Sequence, residues 1–142
     1  MHSFSYKKAG IPSDNTGNGG GFIFDCRFIY NPGRKEEFKY LTGCDKGVIE
    51  FLDSQVEMKK FLENVYDIID HAIENYTERN FTDLMISFGC TGGQHRSVYL
   101  AEWLAERFRD QVSVIVRHRS AARRAADREA ALAHGAATEQ TQ

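Results

Sequence analysis

Residues 90–97, Cys-Thr-Gly-Gly-Gln-His-Arg-Ser, carry the groups that a small oxyanion calls for. An apolar stretch precedes them from Leu84, and an amphipathic pattern begins near His95 and Arg96. A strand that turns through small residues into a helix aims several backbone N–H groups and the positive helix end at one point. Gly92 and Gly93 are expected to take positive φ there and let the backbone approach a ligand closely. Arg96 adds a guanidinium fork suited to phosphate, and Thr91 and Ser97 add hydroxyls. Gln94 and His95 complete the candidate binding set; His95 either contacts a ligand oxygen or occupies the first helical turn.

Two chemistries fit this loop. Cys90 and Arg96 have five residues between them and Ser97 follows, which is the spacing of cysteine-dependent phosphatases. In those enzymes the loop binds phosphate, a thiolate attacks it, and the hydroxyl assists the leaving sulfur. Such enzymes usually place a histidine before the cysteine, where this chain has Gly89, and need an aspartic acid from another loop. Asp14, Asp25 and Asp45 qualify by type alone. Anion binding without turnover is the favoured reading, because loop amides and an arginine recognise phosphate whether or not a bond is cleaved.

These residues need elements to hold them. A strand is predicted near residues 3–8, and a mobile glycine loop over 10–21. A second strand is predicted at 22–29, with Asp25 and Arg27 side by side on one face as an ion pair or part of a site. Asp45 is placed to cap a short helix at 46–52, and Ser54 with Glu57 to form a capping box for a long amphipathic helix. The pattern then gives a strand at 84–89, a helix at about 96–109 and a strand at Val112–Val116, a βαβ unit at 84–117. The fold class is therefore α/β, with a central mixed, partly parallel sheet of about four strands and flanking helices. The loop falls at the carboxyl end of its strand, the usual binding edge.

The 142 residues suit one domain, and 42% apolar content suits a globular core. Residues 1–120 are expected to form it. Residues 121–142, rich in alanine and arginine, are expected to be weakly ordered. From Arg107 to Arg128 seven arginines face two aspartates, so this segment is +5 and the remainder −7. Such a face fits nucleic acid, with a solvated surface as the alternative. Arg117, His118 and Arg119 could extend the anion site, grip a phosphate backbone, or merely end a strand. Three scattered cysteines suggest reduced thiols in the cytoplasm and no zinc site. No signal core or membrane-length apolar run is present.

Four blocks in order resemble the C-terminal domain of the RapZ/YvcJ family: Asp25–Pro32, Leu41–Lys46, Gly89–Tyr99 and Arg117–Arg119. The resemblance implies an RNase adapter that binds small regulatory RNA, senses glucosamine-6-phosphate in this domain, and self-associates. By this likeness Cys90–Ser97 hold the phosphate. Asp25, Arg27, Asn31 and Asp45 are further candidates, with Asp25 or Asp45 assigned to the amine by charge. Arg117, His118, Arg119, Arg123 and Arg124 are the RNA-binding candidates. The family's N-terminal Walker A motif is absent from this chain. Either a naturally stand-alone domain or a piece of a longer protein is therefore expected, with no cofactor and no P-loop hydrolysis, and a separate nucleotide-binding protein is a candidate partner. The dilute arginine tail and the glycines near 17–21 depart from the family pattern.

Overall fold

The computed structural model describes residues 1–120. Strands β1 (His2–Ser5), β2 (Phe22–Asp25), β3 (Ile86–Cys90) and β4 (Arg117–His118) form one sheet in the order β2-β3-β1-β4. Every strand pair is parallel. Helices α1 (Lys46–Asp53), α2 (Val56–Glu78) and α3 (Arg96–Phe108) complete the α/β fold, and the expected unit at 84–117 is present as β3-α3-β4.

The steps from β2 to β3 and from β3 to β4 run the same way across the sheet. Right-handed crossovers therefore put α2 and α3 on one face. One core results: Ile86, Phe88 and Cys90 of β3 lie in a cluster with Leu62 and Val65 of α2 and Leu100 and Leu104 of α3. β3 is buried along its whole length, as a central parallel strand requires. The predicted stripe of α2 is core at Met58, Leu62, Val65, Ile69 and Ala72, while Ile68 is exposed.

Several local expectations are corrected. The strand predicted to reach residue 29 stops at Asp25, because Cys26–Ile29 closes a turn with the Ile29 N–H on Cys26 O at 3.3 Å. Val112–Val116 keeps an alternating half-buried pattern but forms no ladder. Pairing with β1 begins only at Arg117, opposite His2. The capping box does not form: Ser54 closes α1 by donating to Phe51 O at 2.6 Å, and Gln55 takes the N-cap of α2. Asp45 does stand at the N-cap of α1. Its carboxylate turns back, however, to accept the Thr42 N–H at 2.7 Å.

Leu104→Ala is expected to cost about 2–5 kcal/mol of stability through the cavity it leaves, whereas Ser54→Ala should stay within about 1 kcal/mol. Denaturant unfolding of both variants checks this; a larger loss for Ser54→Ala would restore the capping box.

Candidate anion-binding site

Cys90 ends the strand that lies between β2 and β1, so the loop leaves from the carboxyl edge of the sheet's interior. Gly89 sits beneath two aromatic rings: an added Cβ would lie 2.4 Å from Phe4 Cζ and 2.5 Å from Tyr6 Cε2. No histidine fits there. Gly93 has φ +65°, and a Cβ would come within 2.8 Å of Ser5 N, because the loop folds back over β1. The expectation of positive φ holds at Gly93 and not at Gly92. The space in front of Gly92 is open.

Three consecutive side chains then turn inward. Gln94 Nε2 donates to Lys39 O at 2.8 Å and to Leu41 O at 2.6 Å. His95 Nε2–H donates to Phe38 O at 2.8 Å. Arg96 Nη1 donates to Arg27 O at 2.8 Å and Ile29 O at 2.7 Å. All three residues are buried. The segment from Arg27 to Leu41 has only two 3-10 turns, Pro32–Arg34 and Glu36–Phe38, so its carbonyls need partners from elsewhere. The motif supplies them. Arg96 is thus partly spent on backbone, which differs from the free fork expected, and its Nε is buried without a partner. Gly43 seals the arrangement: its N–H donates to Gln94 O at 3.0 Å, and a Cβ there would lie 2.3 Å from Tyr99 N.

Among the described residues, the amides of Gly92, Gly93, Gln94, Arg96 and Ser97 donate to no protein acceptor. They stand at the N-terminal end of α3, where helical amides lack internal partners. A cavity of about 230 Å³ opens beside them, lined by Asn31, Gly33, Lys39, Cys90, Thr91, Gly92, Gln94, His95 and Arg96. It holds two cationic residues and no carboxylate. Asn31 Oδ1 accepts the Gly33 N–H at 2.9 Å, which leaves the NH2 of Asn31 as its donor. Lys39 is the residue the sequence did not disclose; a lysine in an irregular segment has no pattern to mark it.

Cys90 is 2% exposed, and its Sγ–H donates to Ser97 Oγ at 3.1 Å. Cys26 lies in the same core, and burial, then the neighbouring Cys90, pushes its thiol well up. Asp25 and Arg27 resolve into an exposed ion pair at 2.6 Å, with Arg27 stacked 3.9 Å over the Tyr6 ring. Hydrogen bonds from Arg27 hold the Asp25 carboxyl below its usual value. Neither Asp25, Arg27 nor Asp45 lines the cavity. Asp14 does not line it either and accepts the Gly20 N–H at 2.8 Å. His118 is held between Ser3 Oγ, 2.7 Å from Nδ1, and Glu102 Oε1, 2.6 Å from Nε2. Arg117 and Arg119 are exposed at the sheet edge. Arg123 and Arg124 lie outside the described residues.

A parallel α/β domain with a glycine loop and a cationic cavity at its carboxyl edge defines the class. Within that class, the chain belongs to the RapZ C-terminal domain family, whose model matches residues 1–122. A nucleotide-binding protein of Azoarcus is 45% identical over 127 residues, 89% of this chain and 41% of the relative. One of Aromatoleum aromaticum is 44% identical over 133 residues, 94% and 44% of the two chains. One of Burkholderia mallei is 42% identical over 121 residues, 85% and 39%. The chain therefore spans about two fifths of these relatives' length. Among the described residues no helix is long and apolar enough to cross a membrane.

Gly93→Ala is expected to lower stability by about 1–3 kcal/mol through overpacking against β1 and an unfavourable φ. Gly92→Ala should stay within about 0.5 kcal/mol. Thermal unfolding of the pair distinguishes the two glycines, and equal losses would contradict the loop geometry.

Proposed function

We propose that this domain binds a phosphorylated small molecule at residues 90–97, and that the ligand is a phosphorylated amino sugar of the glucosamine-6-phosphate class. One observation carries the phosphate half: the cluster of uncommitted amides beside Lys39, Asn31 and Arg96. Amides at a helix N-terminus supported by cationic side chains match a phosphate's charge and its several acceptor oxygens. The cavity, about 230 Å³, lies just below the usual range of roughly 300–1,000 Å³ for drug-sized ligands, which favours a compact metabolite. Membership of the RapZ C-terminal domain family supports the amino sugar. Since no carboxylate lines the cavity, backbone carbonyls or ordered water would have to receive the amine.

The competing reading is a cysteine-dependent phosphatase, and the Cys90–Ser97 hydrogen bond at 3.1 Å favours it. Against it stand the burial of Cys90 and a cavity lining without an aspartic acid to protonate the leaving group. We take the domain to be a non-catalytic sensor in the cytoplasm whose output passes through small regulatory RNA, as an RNase adapter, and a homo-oligomer. The exposed Arg117 and Arg119 support the RNA part; His118, tied to Ser3 and Glu102, does not. Nucleotide binding, named for the relatives, would come from a separate partner or from sequence outside these residues.

Calorimetry with glucosamine-6-phosphate should give one site per chain. Lys39→Ala should weaken it about tenfold, ~1.4 kcal/mol, while Cys90→Ser should leave it within a few fold. Aryl-phosphate hydrolysis that disappears in Cys90→Ser would instead establish the enzyme. For RNA, Arg117→Ala with Arg119→Ala should reduce the salt slope of binding by about 0.7–0.9 for each phosphate these arginines neutralise. An unchanged slope removes these arginines from the interface.

A further inference from the structure

Away from the cavity, three ligating side chains converge that sequence spacing does not relate. Cys44 comes from the loop before α1, Glu102 from α3 and His118 from β4. One donor atom of each lies within 4.8 Å of the others. Gly43, seated on the first turn of α3, delivers Cys44 to this place. The parallel register sets His118 opposite Ser3, and the ring is fixed at both nitrogens, by Ser3 Oγ at 2.7 Å and Glu102 Oε1 at 2.6 Å.

We propose that Cys44, Glu102 and His118 bind a divalent cation of the zinc class, with Ser3 orienting the imidazole and solvent completing the coordination. A thiolate, an imidazole and a carboxylate form a mixed S, N, O set that suits zinc and not the hard, oxygen-seeking cations. Thiolate and carboxylate together supply two negative charges against the two positive charges of the ion. Zinc bond lengths of about 2.0–2.3 Å place ligand atoms roughly 3.3–3.6 Å apart in a tetrahedron. Glu102 and His118 must therefore part slightly. Cys44, exposed and on a loop, must close by about 1 Å.

The protons balance. A carboxylate oxygen accepts, so the hydrogen of the 2.6 Å contact to Glu102 belongs to His118 Nε2, and Nδ1 is left to accept from the Ser3 hydroxyl. Metal binding takes the Nε2 lone pair, the ring proton moves to Nδ1 through solvent, and Ser3 Oγ turns to accept it. A hydroxyl serves either role, and such an outer hydrogen bond is what fixes a metal-bound imidazole. The thiol proton is released to solvent. Arg109 Nη2 pairs with the other oxygen of this carboxylate, 3.9 Å from Glu102 Oε2, which leaves Oε1 to His118. Ser3 is fully buried, so the Ser3–His118–Glu102 chain is not a hydrolytic triad: no substrate reaches the hydroxyl.

The site would tie the loop before α1 to α3 and β4, independently of any ligand at residues 90–97. The test is a titration of the tag-free, chelator-stripped chain with Co2+, then Zn2+, followed by absorption. The expected result is one Co2+ per chain, a thiolate-to-cobalt charge-transfer band in the near ultraviolet, the d–d bands of four-coordinate Co2+, and bleaching by Zn2+. Cys44→Ser, at an exposed position and checked for native circular dichroism, should lose the band. Ser3→Ala should weaken Zn2+ binding about 10–100-fold, and Zn2+ should raise the unfolding temperature of the parent chain but not of Cys44→Ser. Absence of the band in the parent chain would overturn the proposal. So would its survival in Cys44→Ser, which would assign the metal to another thiol.

Discussion

Gln94, His95 and Arg96 turn inward at the end of β3 and donate to five carbonyls of the segment from Arg27 to Leu41. The whole site depends on this. An irregular stretch beside the core cannot leave its carbonyls bare, and three side chains that donate in sequence settle that demand. With those side chains committed to carbonyls, the amides of Gly92, Gln94 and Arg96 are left without a protein acceptor among the described residues, and these three residues line the cavity. The same clamp brings Asn31 and Lys39 to the cavity wall. A single set of hydrogen bonds thus builds both the wall and the floor of the pocket.

This division of labour differs from what the phosphatases with the same spacing require. Those enzymes need an arginine free to grip the phosphate and a thiol open to attack it. Here Arg96 gives one nitrogen to two carbonyls and Cys90 is buried against Ser97. The committed Arg96 nitrogen and the buried thiol support the proposed binding of an anion over transfer of its phosphoryl group. The residues that would supply a proton are engaged elsewhere, Asp25 with Arg27 and Asp45 with Thr42.

Strand, loop and helix around residues 84–109 were legible in the sequence because an apolar run, glycines and a helical stripe are local signals. So was the parallel βαβ unit, which follows from connection length and handedness. The inward course of Gln94, His95 and Arg96 was not legible. It depends on where the carbonyls of Phe38 and Lys39 arrive, and that is decided by tertiary packing across more than fifty residues. Lys39 was invisible for the same reason. Val112–Val116 has every local mark of a strand, yet β1 offers it no partner before Arg117. Ser54 and Glu57 match a capping box, but only two residues separate α1 from α2, and Ser54 is already used by the first helix. The meeting of Cys44, Glu102 and His118 also escapes any spacing rule, since three separate elements supply it.

On the proposed reading the main chain at the start of α3 receives an anion. The most direct measurement is a titration of isotopically labelled protein with glucosamine-6-phosphate, and with inorganic phosphate as the minimal ligand, followed by amide chemical shifts. The amide signals of Gly92, Gly93, Gln94, Arg96 and Ser97 are expected to move together and saturate with one dissociation constant for each ligand. Saturable shifts confined to other residues, or none at those five amides, would contradict it.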